Sequence, residues 1–452
     1  MTATKYFLTA LFFALPLNGF AGLQQNSNLP EKRPWKAGLA AYQVAEKDKS
    51  GGTFHKLTET TELALAEALI LALARNPKLA AFSWKIKAQQ GMVQQARVMP
   101  NPEIGVEVEN IFGEDDSRGV QAADTTLQLS QLIELGGKRA NRQQIANLER
   151  DLAGWDYETT RLDIIAATSK AFFVLLTAQE RLQLGRENIE LAGEVFNTVK
   201  LRVEAGKTSP LEESRAQVMV NKNRIALNKN KRELAAARYQ LSSTWGADKP
   251  HFTKIVGNRE KISQPPALAS INGWLAQNPE IARQQTEIDL QNARVSLAKA
   301  AGIPDITVGG GIKRHEYSDN YTFIFGVSMA LPVFDRNRGG ISAAQAEVTA
   351  RESQHRTADI KLKTALSQNL EEFQAAYAEA NSLQNQILPV AEETFASINY
   401  GYRQGQFEFL DVLDAQRTLI ELRKQLIDSL QEYHNQRISI ERLISQELAQ
   451  AN

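Results

Sequence analysis

Reactive side chains are thinly supplied along this 452-residue chain. It contains no cysteine, which excludes thiolate metal ligands, a cysteine nucleophile and disulfides, and argues against a lipid-modified N-terminal cysteine. His55, His251, His315, His355 and His434 are scattered with no pair at ligand spacing, and Met92, Met99, Met219 and Met329 are equally dispersed. The sequence has no glycine-rich phosphate loop, nucleophile elbow or acid/base constellation, so it reads as a non-enzyme with no cofactor and no metal site of its own. What remains is charge set in pattern. Asp411 and Asp414 are three apart and therefore share one face of a helix. Two acids near a helix N-terminus are favoured by its dipole, and they can equally gather negative potential that draws cations.

These residues sit in a neutral frame. Lys+Arg 52 balance Asp+Glu 52, which argues against nucleic acid as a partner. The length allows two to four ordinary domains, or one large one, and is ample for a core, while 7% aromatic residues and modest Gly and Pro disfavour a propeller or sandwich. Lys5, the apolar run 6–17 and the small residues Gly19 and Ala21 read as a cleaved secretory signal over 1–21, too short to span a bilayer. No later stretch reads as a transmembrane helix. Residues 22–61 then form an N-terminal periplasmic segment.

Internal repetition carries the most information. Asn76-Pro77-Lys78-Leu79 returns as Asn278-Pro279-Glu280-Ile281, and Ala216-Gln217 returns as Ala415-Gln416. Pro100-Asn101-Pro102-Glu103-Ile104 and Glu204-Ala205-Gly206-Lys207 have looser counterparts in Ile303-Pro304-Asp305-Ile306 and Arg403-Gln404-Gly405-Gln406. The near-constant offset implies two repeats, 62–246 and 271–447, joined by a proline-marked linker over 247–270 and followed by a tail, 448–452. Each repeat reads as helix, strand, strand, very long helix, tight turn, helix.

Ile104, Val106 and Val108 alternate with Gly105, Glu107 and Glu109, which predicts a strand near 103–110; Leu127 and Leu129 predict another near 125–135. Repeat two does the same near 305–313 and 322–331, with turn residues at 113–119 and 315–320. Such strands have the length that crosses an outer membrane at a tilt. Residues 138–204 form a 67-residue stretch without proline, about 100 Å as a helix. The 37 residues after its turn and the 23 over 77–99 stack to nearly that height, and 340–403 is matched the same way by 408–447 and 279–302. Leu162, Ile165, Ser169, Phe172 and Leu176, and Leu419, Leu422, Leu426, Leu430 and Tyr433, recur at three-and-four spacing, the patterning of a coiled coil.

Four strands cannot close a barrel and lipid does not tolerate an open sheet edge, so an exported chain of this kind needs copies of itself; three would give twelve strands. Here the sequence resembles the outer membrane factor family, whose best-known member is TolC, over nearly the whole mature chain. The resemblance implies a mainly α chain with a membrane β-barrel portion: a homotrimer with a twelve-strand barrel in outer-membrane lipid and a periplasmic α-helical tunnel. It further implies the passive exit duct of a tripartite pump, partnered by a periplasmic adaptor (membrane fusion protein) and an inner-membrane pump of the RND type. Leu127-Gln128-Leu129-Ser130-Gln131-Leu132-Ile133-Glu134-Leu135-Gly136-Gly137-Lys138-Arg139, with Pro100-Asn101-Pro102-Glu103, is similar to the heavy-metal branch typified by CzcC, which exports cobalt, zinc and cadmium cations. Gly136-Gly137 reads as a flexible strand-to-helix hinge.

Turn one, with its tip at 206–210, has Ser209 as N-cap, Pro210 at the first helical position and Glu212 to complete a capping box. By resemblance Gly206, Ser209, Pro210 and Gly405 are adaptor contacts. Turn two, 404–408, is similar to the TolC gate segment: Tyr402, Asp411 and Asp414 fall on matching positions, while Phe407 occupies that of an arginine and suggests an apolar constriction. Threefold symmetry would turn each aspartate into a ring. Rival readings are a duct of the same fold for drugs or secreted proteins, and a soluble periplasmic coiled-coil adaptor, which should show one hairpin rather than two.

Overall fold

The computed structural model describes residues 62–111 and 122–448. The expected signal segment, the segment 22–61, the loop 113–119 and all of the tail but Leu448 lie outside the described residues. In chain order the elements are β1 (Glu62–Ala64), α1 (Leu65–Arg75), α2 (Pro77–Ala96), β2 (Glu103–Glu109), β3 (Asp124–Ile133), α3 (Lys138–Glu204) and α4 (Pro210–Ser243). Then come β4 (Lys254–Val256), α5 (Leu268–Ile271), a 3-10 turn (Asn272–Gln277), α6 (Pro279–Ala301), β5 (Ile306–His315) and β6 (Asn320–Met329). Last are α7 (Arg338–Ser382), a π segment (Leu383–Ile387), α8 (Leu388–Gln404) and α9 (Phe409–Ile444). The chain forms two compact units, one of Phe82–Asp156 and Glu280–Ala358, the other of the remaining described residues.

The first unit holds an antiparallel sheet in the order β2-β3-β5-β6. Its register puts Val106 opposite Leu127, Leu127 opposite Ile312 and Ile312 opposite Phe323, so one face is apolar across all four strands. These side chains are open to the surroundings: Ile104 is 75% exposed, Phe323 86% and Phe325 75%. The other face carries Glu103, Glu107, Glu109, Thr126, Gln128, Asp124, Lys313 and His315, with Gly105, Gly309, Gly311 and Gly326 between them. Gly311 leaves no room for a side chain, since a Cβ there would run into the Leu127 carbonyl.

The turn from β3 into α3, where the sequence suggests a hinge, is held by several contacts. Gly136 and Gly137 both take left-handed φ, 67° and 74°. Asp305 accepts from the Leu135 N–H at 2.9 Å and from Lys138 Nζ at 2.8 Å. Arg142 grips Glu134 with both guanidinium nitrogens. Asn337 stands at the same point before α7, also left-handed at φ 55°, and its amide donates to the Ala298 carbonyl at 2.8 Å.

In the second unit, Phe172, Leu175, Leu176, Leu241, Trp245 and Ile255 form the main core. By length and composition α3 contains a window apolar enough to cross a membrane, where none was expected; 67% of it is buried within the protein, as in a core helix. The repeat junction also differs from a plain linker. Lys254–Val256 pairs in parallel with Glu62–Ala64, so the first helix begins at Leu65 rather than at 62. Gln179 then holds both the Ile255 N–H and its carbonyl, at 2.9 and 3.1 Å. Arg259 pairs with Glu180 and donates to the Ile427 carbonyl, His434 Nε2 meets the Arg259 carbonyl at 2.8 Å, and the Tyr433 hydroxyl bonds Ser263. Buried hydrogen bonds of this kind contribute about 1 kcal/mol each, so the stretch is clamped to the helices.

The helix expected over 340–403 is interrupted. Pro389 has no N–H for the Asn385 carbonyl, and the backbone widens through Leu383–Ile387, with Leu388 N–H bonding Leu383 O five residues back. The corresponding part of α3 runs unbroken.

Candidate functional site

The two helix turns lie together in the second unit around one apolar cluster: Val195 and Val199 of α3, Ala216 of α4, Phe395 and Tyr402 of α8, and Phe409 and Val412 of α9. Each turn is shaped by its own sequence. At turn one Gly206 has φ 67°, and the Lys207 N–H returns to the Arg202 carbonyl at 2.8 Å. Ser209 caps α4, its hydroxyl accepting from the Leu211 N–H at 3.3 Å with Pro210 next in line. The capping box expected of Glu212 does not form; its carboxylate turns instead to the Tyr402 hydroxyl at 3.4 Å, where a buried phenol needs an acceptor.

At turn two Gly405 has φ 79° and closes α8, its N–H bonding the Tyr402 carbonyl at 3.0 Å. Tyr402 is buried, with its ring 5.9 Å from that of Phe409. Arg202 is the residue sequence reasoning missed. Its Nη1 donates to the Tyr402 carbonyl at 2.6 Å and its guanidinium lies 4.5 Å from the Tyr402 ring centre. Burial and then the Glu212 carboxylate push the Tyr402 phenol above its ordinary range, with Arg202 opposing. Phe407 is 44% exposed and its ring covers Gly401, where a Cβ would collide with it.

The two aspartates part company. Asp411 turns back to cap its own helix, accepting the Glu408 N–H at 2.9 Å. Asp414 is exposed and forms no hydrogen bond among the described residues; its field reaches Arg417. Further along α9 a shallow cavity of about 430 Å³ is lined by Glu379, Glu421, Asp428 and Glu432 with Lys424, Gln425 and Ser429. Asp414, Glu421 and Asp428 recur every seven residues, a line legible in the sequence. Among the described residues no three His, Asp or Glu side chains are grouped to hold a metal ion.

The sequence pattern of outer membrane efflux proteins matches residues 68–247 and 271–446. The chain belongs to this family. Outer membrane efflux proteins are channels, not enzymes. The chain is 32% identical to the cobalt-zinc-cadmium resistance protein CzcC of Cupriavidus metallidurans over 382 residues, which is 84% of this chain and 90% of that one. It is 26% identical to the nickel-cobalt-cadmium resistance protein NccC of Alcaligenes xylosoxydans xylosoxydans, over 65% of this chain and 66% of that one. In fold it matches the crystal structure of CusC with a TM-score of 0.72 at 18% identity, covering 85% of this chain and 93% of the other. This mostly helical chain with few strands therefore has the fold of an outer membrane channel.

Proposed function

We propose that this efflux protein is the exit duct of a tripartite pump and passes divalent heavy-metal cations of the cobalt, zinc and cadmium class passively from the periplasm to the outside. The observation that carries the reading is the four-stranded sheet. One face is apolar yet exposed, the other holds Glu103, Glu107, Glu109 and Asp124, and both edge strands are unpaired among the described residues. Ten residues of strand at a 40° tilt span about 26 Å, the height of an outer-membrane apolar band. Three copies complete a twelve-strand barrel with lipid outside and carboxylates within, which retains the protein in the membrane after removal of its signal segment. The resistance proteins to which it is similar support the metal cargo.

In this reading the helix turns form the periplasmic mouth, engaged by an adaptor around Gly206, Ser209, Pro210 and Gly405 and supplied from an inner-membrane pump. Tyr402, Phe407 and Arg202 hold the mouth narrow. Asp414, free of the capping duty that occupies Asp411, forms the cation-attracting ring. Purified protein in planar bilayers should give cation-selective pores, with selectivity reduced in Asp414→Asn; anion-selective pores, or no pores, overturn the reading.

A further inference from the structure

The polar face of the four-stranded sheet changes character along its length. Toward the end that joins α2, α3, α6 and α7, a row across the strands reads Glu103, Ser130, Gly309 and Gly326. The next rows read Gly105, Gln128, Gly311 and Ile324, then Glu107, Thr126, Lys313 and Thr322. The far end reads Glu109, Asp124, His315 and Asn320. Small residues thus give way to charged ones away from the helices. Lys313 is the one lysine or arginine on this face among the paired residues, against Glu103, Glu107, Glu109 and Asp124.

The far row sets two carboxylates and an imidazole side by side. Opposite residues of neighbouring strands have Cβ atoms about 4.5–5.5 Å apart, within reach of a common ion. Carboxylate and imidazole are the donor types that zinc-like divalent cations take. These side chains are nonetheless not gathered as metal ligands among the described residues. The Lys313 ammonium stands between the two carboxylates. Its Nζ pairs with Glu109 and lies 3.2 Å from Asp124 Oδ2. The other oxygen of Asp124 meets His315 Nδ1 at 2.8 Å, and His315 Nε2 meets the Thr322 hydroxyl at 3.2 Å. Asn110 completes the set, donating to Asp124 Oδ2 at 3.2 Å.

Strand pairing does not depend on this ammonium. The antiparallel ladder is unbroken along Glu103–Glu109, Asp124–Ile133 and Ile306–His315. What the ammonium changes is the charge that an arriving ion meets. It offsets one of the two carboxylate charges and repels a divalent cation from the same oxygens. A conduction path must hold ions weakly enough to release them, whereas two carboxylates and an imidazole at one point would retain them.

We propose that Lys313 is a built-in counter-cation that keeps the row of Glu109, Asp124 and His315 from capturing divalent metal cations at the outer end of the duct. The proposal rests on the reading above, in which this face lines the lumen and metal cations are the cargo. It adds the residue that lets the cargo leave, and it holds within each chain, since these side chains come from one sheet.

Full-length protein purified in detergent is titrated with cobalt(II), whose visible absorption reports nitrogen and oxygen ligands. Lys313→Met and Lys313→Gln should each bind cobalt at concentrations at least about tenfold below the parent, since a unit charge beside the ion has been removed. Lys313→Arg, which keeps the charge, should stay with the parent, and Lys313→Met/His315→Ala should lose the gain. In planar bilayers, cadmium ions should block Lys313→Met and Lys313→Gln at concentrations that leave parent currents unchanged. Equal cobalt affinity in the parent and these two variants, or a gain that survives loss of His315, overturns the role of Lys313. So does loss of assembly in both while Lys313→Arg assembles, which would make Lys313 a strut. Cation-selective parent pores without the cobalt gain overturn this proposal alone; anion-selective or absent parent pores overturn the duct reading and the transit role with it.

Discussion

Replacing Arg202 with alanine should loosen turn two while leaving the rest of the chain folded. Arg202 contributes a charged hydrogen bond to the Tyr402 carbonyl at 2.6 Å, worth about 1.5–3 kcal/mol, and a cation–π contact of about 0.5–1 kcal/mol at a partly exposed site. The Tyr402 carbonyl keeps the Gly405 N–H, so its loss of Arg202 leaves no orphaned acceptor. Because Arg202 is only half-buried, the net cost settles at about 2–3 kcal/mol, or about 30- to 150-fold in a local opening equilibrium at 1.4 kcal/mol per tenfold. Hydrogen exchange reads that equilibrium segment by segment. Amides of 395–412 in detergent-solubilised protein should exchange faster by that factor, while those of β5 and β6 stay unchanged. Tyr402→Phe removes only the 3.4 Å contact with Glu212 and should stay within about threefold of the parent. A change below threefold in the Arg202 variant, or equal loosening in the sheet, refutes the assignment of Arg202 as the clamp on this turn.

Four further outcomes follow from other parts of the chain. Burial holds the His434 imidazole down at about 4, neutral beside the Arg259 carbonyl. Its contribution is therefore full above the unfolded value of about 6.5 and lost as pH falls toward 4, up to about 3 kcal/mol. Burial lifts Glu441 to about 7, which works the opposite way: its contribution is full below its ordinary value of 4.5 and lost as pH rises through 7. Calorimetry should thus compare the parent with His434→Gln, whose Tm difference should shrink on acidification from pH 7 to 4.5; a constant difference contradicts the buried neutral imidazole. Gly136→Ala, at φ 67° with its Cβ 2.8 Å from Ile303 Cδ1, should cost about 2 kcal/mol in thermal unfolding. Gly137→Asn should be nearly neutral, since a Cβ there meets nothing within 4 Å and Asn337 adopts the same backbone in repeat two. Asp411→Asn should cost about 0.5–1 kcal/mol of helix stability with little change in bilayer selectivity, the reverse of Asp414→Asn.

The alternating strands and the long helices were legible because each rests on a local period. Ile104 to Val108 alternate whatever they face, and Asn76-Pro77 opens a helix wherever it stands, with Asn76 Oδ1 accepting the Lys78 N–H at 2.8 Å. The π segment was legible in principle, since Pro389 is a local signal set against a strong helical period. Contacts between distant segments left no such trace. Nothing near Lys254–Val256 announces a partner at Glu62–Ala64, and nothing near Tyr402 points to Arg202, 200 residues away. The roles of the two aspartates were also hidden, because spacing puts both on one face but only backbone geometry decides that Asp411 is consumed by its own helix.

The central claim is an exit duct for divalent metal cations, and metal tolerance of a strain lacking the gene tests it most directly. Cobalt, zinc, cadmium, nickel and copper would be titrated beside a dye and a detergent, with the gene returned on a plasmid. The account predicts sensitivity confined to some of the metals and reversed by the plasmid. Sensitivity to the dye and the detergent alone, with metal tolerance unchanged, would contradict the metal cargo while leaving the channel fold in place.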